Sequence, residues 1–217
     1  MSVYDLVVTD ALLSTTRSVR KRLDFQRPVP RQLILDCITL SQQAPTGSNR
    51  QGWRWIVVAD QDKRDALGHI YRKGAGSYLD DSRRQAEADG AAQDARVFSS
   101  AHYLAENIQK APVHVIPCVS AEHLPPDPPA HVWPGLMGSI LPAVWSFQLA
   151  LRARGLGSTL TTLHLRHGGE AAALLGIPEG IMQVGLLPVA YTIGTDFKPA
   201  KRPPVETITS WNTWGAR

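Results

Sequence analysis

Three apolar segments of this chain have the composition of β-strands, and helix-like segments of unequal length separate them. The strand-like segments are WRWIVVA at 53–59, PVHVIPCV at 112–119 and IMQVGLLPVAYTIG at 181–194. They are rich in β-branched and aromatic residues, as strands usually are. Because helices and strands alternate irregularly, the chain is predicted to form a layered α/β or α+β fold.

Several other segments are predicted to be helical. The longest, 136–154, ends before Gly155, and glycine commonly follows the last residue of a helix. The stretch 72–110 is polar and only weakly periodic, so we expect mobile helical pieces there. The remaining helices are predicted at 3–13, 28–44, 62–71 and 169–180.

Composition limits the class of protein. A chain of 217 residues suits one domain or two small ones, and it has no apolar run of about 18 residues, so no membrane span is expected. The N-terminus contains Asp5 and Asp10 and lacks a basic region, which favours the cytoplasm. Cys37 and Cys118 lie in apolar segments and are predicted to be buried. The net charge of +4 permits an anionic ligand and does not require nucleic acid.

A basic cluster, TTRSVRKRL at 15–23, could be a solvated face, a nucleic-acid arm or a phosphate site. If the segment is extended, Ser18 and Arg20 share one side. A guanidinium can bind phosphate oxygens through two hydrogen bonds, and a hydroxyl adds a donor. We expect no nucleic-acid partner, because no reading helix or interleaved aromatic residues accompany the cluster.

Three further motifs are ambiguous when taken singly. PTGSNRQG at 45–52 offers Gly47 for close backbone approach and Ser48, Asn49 and Gln51 as donors and acceptors, yet it also suits a plain turn. GLGSTLTTLHL at 155–165 lacks the third glycine of a dinucleotide site and follows a helix. In KPAKRPP at 198–204, Lys201 and Arg202 could simply be solvated. His164 and His167 have no evident third ligand, so no metal site is predicted.

Taken together, the motifs resemble the FMN-dependent nitroreductase superfamily. RSVR, APTGSNRQGW, LALRARGLGSTLTT, LLGIPEG, GLLPVAY and KRPP occur in the order of that family, over residues 15 to about 208. Thr16 and Gly52 depart from it, because many members have arginine and proline there. The STLTT and LLPVAY stretches also resemble the branch that contains iodotyrosine deiodinases and the flavin-cleaving enzyme of benzimidazole synthesis.

The resemblance implies an α+β sandwich, a single domain over 1–217 with a mixed, mostly antiparallel sheet flanked by helices. It implies a homodimer that exchanges C-terminal extensions at about 195–217, with FMN at the interface. Arg17, Ser18 and Arg20 would hold the FMN phosphate and ribityl chain, completed by Lys201 and Arg202. The other implied cofactor contacts are Pro45, Thr46, Gly47, Asn49 and Gln51, from the partner chain, and Thr161 and Thr162 near flavin N5 and O4.

The implied reaction is ping-pong: NADH or NADPH reduces the flavin, and a nitroaromatic, quinone or similar small acceptor then takes the electrons. No catalytic side chain is required, because the cofactor carries the chemistry. A variable lid at about 72–135, with Tyr71, Tyr78, Arg83 and Tyr103, is predicted to cover the acceptor, although a pair of ordinary surface helices would also explain 72–110. Alternatives are reductive dehalogenation, consumption of flavin itself, or flavin binding with little turnover.

Overall fold

Six strands form one sheet in the computed structural model, which describes residues 3–125 and 127–216. The sheet order is β1-β6-β3-β2, while β4 also pairs with β6 and β5 with β3, and all these pairs are antiparallel. A parallel bridge joins Ser18 to Ser158 beside the sheet. The strands are β1 (Leu23–Asp24), β2 (Trp53–Val58), β3 (Val113–Ser120), β4 (Leu156–Ser158), β5 (Ile181–Gln183) and β6 (Leu187–Thr192).

Helices precede and follow the strands along the chain. They are α1 (Leu6–Thr15), α2 (Arg31–Ser41), α3 (Gln61–Ala75), α4 (Tyr78–Ala88), α5 (Ala92–Asn107), α6 (Val132–Ala153) and α7 (Gly168–Leu175). Short 3₁₀ turns occupy Gly47–Asn49, Ile108–Lys110, Leu163–His167 and Val205–Thr207. The helix predicted at 136–154 and the strands predicted at 53–59 and 112–119 are confirmed to within a few residues.

Helix α6 supplies the centre of the core. Its buried positions include Ile140, Phe147 and Leu151, which share one face at helical spacing. This face packs with α2 and with buried residues of β3 and β6, and the Trp55 ring lies 5.3 Å from the Phe147 ring. By length and composition α6 could cross a membrane, but core helices pass the same test, and burial of this face explains its apolar character.

The apolar segment 181–194 forms two strands instead of the single strand predicted. β5 pairs with β3, but Leu186 leaves that ladder and exchanges backbone hydrogen bonds of 2.8 and 3.0 Å with Thr161. Gly185 permits this crossing, because a Cβ there would lie 2.4 Å from Leu160 Cδ1. β5 and β6 both pair with β3, and residues 184–186 interrupt the ladder between them. The prediction of one strand was wrong because periodicity cannot reveal such a local break in pairing.

The stretch 72–110 is largely helical. It comprises the end of α3 followed by α4 and α5, which pack against each other. The predicted helical pieces are therefore confirmed, and their motion stays a prediction. Within the wider 72–135 lid, β3 is a buried central strand, so only α4 and α5 and the loop before α6 remain candidates to cover a ligand.

Two compact units divide the chain. One contains residues 17–195 with the whole sheet, and the other contains the described residues of 1–16 and 196–217. In the second unit α1 has no buried residue, and Trp211 and Trp214 in the tail are exposed. The predicted C-terminal extension at about 195–217 thus coincides with a structural boundary.

Candidate functional site

The segment 17–20 is extended and lies beside β4. Val19 N donates to Ser158 O at 2.9 Å, and the Val19 side chain is buried while Ser18 is exposed and Arg20 half-buried. This alternation places Ser18 and Arg20 on one side, as predicted. Gly157 allows the segment to approach β4, because a Cβ there would lie 2.9 Å from Val19 Cβ. The GLGS motif therefore serves strand packing at this position.

Arg20 is a half-buried cation without an acidic partner among the described residues. Its Nη1 donates to Ser100 Oγ on α5 at 3.4 Å. Burial lowers the pKa of Arg20, and the nearby Tyr71 phenol raises it; no carboxylate contributes. A guanidinium in this state favours a bound anion, because partial desolvation strengthens its attraction to negative charge.

Tyr71 and Thr161 meet next to Arg20. The Tyr71 hydroxyl lies 2.9 Å from Thr161 Oγ1, and burial raises the pKa of Tyr71. The backbone of Thr161 is fixed by its paired hydrogen bonds with Leu186. Tyr71, which was predicted to belong to a lid, is a core residue of α3 with 2% of its surface exposed. Thr162, the other predicted flavin contact, is exposed.

A close packing contact positions the 163–167 turn against α3. A Cβ on Gly74 would lie 2.0 Å from the Leu163 carbonyl oxygen, so only glycine fits there. Arg166 Nη1 donates to Gly74 O at 2.9 Å, and its guanidinium lies 5.3 Å from the Tyr78 ring centroid. The turn thereby joins the Thr161 side of the site to the beginning of α4.

Two buried histidines lie behind this region. His114 Nε2 lies 2.8 Å from Ile108 O, while His114 Nδ1 and both nitrogens of His164 make no hydrogen bond of good geometry within the described residues. Burial lowers the pKa of each ring from 6.5 to about 4, and each has a smaller opposing contribution, from Ile108 O and from Gln183 respectively. Both rings are therefore neutral near pH 7.

The 45–52 loop forms a second cluster at the beginning of α6. Ser48, Asn49 and Gln51 all have φ between 51° and 53°, a left-handed conformation that costs free energy for residues other than glycine. Gly47 N donates to Ser139 Oγ at 3.0 Å, and Gln51 N donates to Thr46 Oγ1 at 3.1 Å. These bonds hold the strained turn, and Pro45 is exposed at its start.

Ser139 was missed by sequence reasoning. It lies within the apolar stretch of α6, and both its Oγ and its carbonyl contact the loop region, the latter accepting from Trp53 Nε1 at 2.8 Å. Its signal was a hydroxyl in an apolar helix, a feature that it shares with Ser146. Gln51 Nε2 also donates to Asn49 Oδ1 at 2.9 Å, so two predicted site residues contact each other.

Helices α4 and α5 carry the remaining predicted lid residues. The Tyr78 and Phe98 rings form an edge-to-face pair with centroids 6.2 Å apart, and Arg83 Nη1 donates to Glu87 at 2.9 Å. Lys21 lies 6.0 Å from the centroid of the Tyr103 ring. Lys21 and Arg20 therefore both lie next to α5. This position would allow α5 to cover a ligand bound at the basic cluster. Whether these side chains contact a substrate stays a prediction.

Lys201 and Arg202 belong to the unit that contains the two chain ends. Both are exposed, and Arg202 Nη1 donates to the adjacent Lys201 O at 3.2 Å. Their predicted role in binding phosphate, like that of Arg17, stays a prediction.

Comparison with known proteins supplies the family. The Nitroreductase family model matches residues 13–191. An iodotyrosine deiodinase from Thermotoga neapolitana is 25% identical over 203 residues, which cover 93% of this chain and 97% of that protein. A BluB-like flavoprotein from Clostridium difficile 630 superposes with a TM-score of 0.70 at 20% identity, covering 95% of this chain and 99% of its own.

A second solved structure, the FMN and NADPH-dependent nitroreductase NfnB from Sphigopyxis sp. strain HMH, superposes with a TM-score of 0.66 at 23% identity. The match covers 94% of this chain and 99% of that one. These two likenesses confirm the predicted α+β fold with its antiparallel sheet flanked by helices. The family match covers most of the chain, and it includes the basic cluster, the 45–52 loop and the Thr161 region. The chain therefore belongs to the nitroreductase family, as the order of its motifs predicts.

Proposed function

We propose that this protein is an FMN-dependent oxidoreductase that transfers electrons from NADH or NADPH to a small acceptor. The observation that carries the proposal is the half-buried Arg20 guanidinium, which has no acidic partner within residues 3–125 and 127–216 and lies on the same side of the extended segment as Ser18. A phosphate monoester carries up to two negative charges and three acceptor oxygens, which matches this donor set.

The Thr161 hydroxyl also fits FMN. The hydroxyl of Thr161 is oriented by Tyr71 and by a fixed backbone, so it can donate or accept a hydrogen bond at the edge of a flat ring. The NfnB nitroreductase is described as FMN-dependent, and it has the same fold. Arg17, Lys201 and Arg202 would add positive charge around the phosphate.

When bound, FMN would accept a hydride from the nicotinamide and pass electrons to the acceptor, which implies a ping-pong order of the two half-reactions. The chain itself would bind and orient the flavin. Tyr71 stays protonated at neutral pH, because burial raises its pKa, and it can therefore keep the Thr161 hydroxyl in one orientation. Because the Tyr71–Thr161 hydrogen bond is already formed, these two hydroxyls would need little reorientation during the reaction.

We further propose that the active form is a homodimer in the cytoplasm. The tail leaves Ile208 73% exposed, Trp211 70% and Trp214 101%, and α1 leaves Val7 81% exposed. Exposed apolar groups of this size commonly mark an interaction surface. In a dimer with exchanged extensions, Pro45, Thr46, Gly47, Asn49 and Gln51 would reach the flavin bound by the other chain.

Reductive dehalogenation is the second candidate, and a specific observation favours it. The iodotyrosine deiodinase relative aligns over 93% of this chain and 97% of its own length, so the alignment is not confined to the flavin motifs. A deiodinase would require α4 and α5 to clasp a halogenated substrate. Both candidates share the flavin and differ in the acceptor half-reaction.

Stopped-flow spectroscopy of the two half-reactions tests these proposals. The FMN-loaded protein is mixed with NADH or NADPH, and the reduced protein is then mixed with a nitroaromatic, a quinone or an iodophenol. We expect flavin bleaching in the first step and rapid reoxidation by a nitroaromatic or quinone in the second. Reoxidation of the flavin by the iodophenol with release of iodide, together with no reoxidation by the nitroaromatic or the quinone, would favour the dehalogenase. A bound flavin that neither nicotinamide reduces would reject the NAD(P)H-dependent reaction.

A further inference from the structure

A pocket of about 340 Å³ opens beside the 45–52 loop, and it combines an apolar floor with a cationic rim. Its volume lies in the range of small-molecule sites, about 300–1,000 Å³. The floor is taken as the buried and half-buried apolar side chains of Val119, Leu124, Val132 and Leu136, and the rim as the exposed lining residues, which include Arg50, Arg54 and His123. Such a lining favours a ligand that is largely apolar and carries negative charge at one edge.

The two arginines of the rim are not neutralised by carboxylates within the described part of the chain. Arg54 Nη1 donates to the neighbouring Trp53 O at 2.7 Å, and the Arg50 side chain makes no hydrogen bond or ion pair among those residues. No described Asp or Glu lines the pocket. The carboxylate of Glu122, which lies close in sequence, accepts a hydrogen bond of 2.8 Å from Ser120 Oγ. Because Ser120 lines the pocket, Glu122 lies at its border, but neither guanidinium forms an ion pair with it or with another described carboxylate.

This combination selects a ligand class. A guanidinium binds a carboxylate through two parallel hydrogen bonds, and an aromatic ring gains free energy when it covers aliphatic side chains. We propose that the pocket binds the electron acceptor and selects an aromatic ring that bears a carboxylate. The inference rests on the proposed function, because the pocket shares Thr46, Gly47 and Gln51 with the loop assigned to the flavin.

Steady-state kinetics with two matched acceptors test the inference. 4-Nitrobenzoate and nitrobenzene differ in one carboxylate, and each is measured with the FMN-loaded wild type and with Arg50→Gln and Arg54→Gln. We expect each substitution to raise KM for 4-nitrobenzoate about tenfold, the lower end for a charge-assisted hydrogen bond, because both side chains are exposed. The kcat, the KM for nitrobenzene and the FMN affinity should not change. Arg31→Gln, an exposed arginine at the start of α2, is the control.

Several results would overturn the inference. If the substitutions change KM equally for 4-nitrobenzoate and nitrobenzene, or change neither, the arginines do not select the acceptor. A raised KM for NADPH but not for NADH would assign the pocket to the donor's 2′-phosphate, and a loss of FMN affinity would assign it to the cofactor.

Calorimetric titration with 4-nitrobenzoate separates this inference from the proposed function. If the protein binds 4-nitrobenzoate and Arg54→Gln weakens that binding about tenfold, the inferred pocket is supported even without turnover. If 4-nitrobenzoate does not bind, the inference is rejected.

Discussion

The buried histidines should make the protein sensitive to acid. His114 and His164 are fully buried, and burial lowers the pKa of each from 6.5 to about 4. Each ring therefore contributes stability that is complete above about pH 6.5 and is lost as the pH falls towards about 4, since the unfolded chain binds a proton that the folded chain rejects. At about 1.4 kcal/mol per pH unit, the loss approaches about 3 kcal/mol for each ring.

The combined loss is comparable with the whole stability of a typical domain, about 5–15 kcal/mol. We therefore expect the FMN-free protein to unfold cooperatively as the pH approaches 4. Urea unfolding followed by tryptophan fluorescence, at pH values between 7 and 4.5, measures the slope of the unfolding free energy. Two titrating rings predict a slope of about 2.7 kcal/mol per pH unit near pH 5.

A variant separates these rings from other acidic groups. His164→Leu should reduce the slope by about half, because one proton fewer is taken up on unfolding. His69→Gln, which alters an exposed histidine of α3, should leave the slope unchanged. If His164→Leu keeps the slope of the wild type, His164 does not titrate in this range, and the reasoning from burial is refuted.

Three further predictions concern packing, assembly and the lid. Gly74→Ala should lower the unfolding free energy by about 1–3 kcal/mol in urea melts, because its Cβ would overlap a backbone carbonyl, whereas Gly169→Ala has open space and should change it by about 0.5 kcal/mol or less. Deleting 196–217 should abolish both the dimer in analytical ultracentrifugation and FMN retention measured by absorbance; a dimeric, flavin-loaded truncation would contradict the exchanged extension. Tyr78→Ala and Tyr103→Ala should slow reoxidation by the acceptor in stopped-flow experiments and leave reduction by NAD(P)H unchanged, and equal losses in both steps would exclude a lid role.

Sequence patterns predicted the local features of this fold. The helices α2, α3 and α6 and the strands β2 and β3 follow from periodicity and composition, which depend on neighbouring residues. The alternation of Ser18 and Arg20 about a buried Val19 was likewise predictable from an extended backbone. Burial of Cys37 and Cys118 is confirmed, and it raises the pKa of the thiols to about 11 and about 12.

Contacts between distant parts of the chain could not be predicted in this way. Tyr71 and Thr161 are 90 residues apart, and Gly47 and Ser139 are 92 apart. Gly74 similarly owes its identity to the approach of the Leu163 backbone, and Gly157 to the side chains of Val19 and Thr192. No local pattern signals such pairs, so Tyr71 was placed in a lid and Ser139 was overlooked.

The proposed function depends above all on binding of the FMN phosphate by the extended basic segment. The most direct measurement is fluorescence titration of the flavin-free protein with FMN and with riboflavin, which lacks the phosphate, for the wild type and Arg20→Ala. We predict that the substitution weakens FMN binding by about 10- to 150-fold, because a charge-assisted hydrogen bond contributes about 1.5–3 kcal/mol, and that it leaves riboflavin binding unchanged. A wild type that binds no FMN, or an Arg20→Ala variant with undiminished FMN affinity, would contradict the claim.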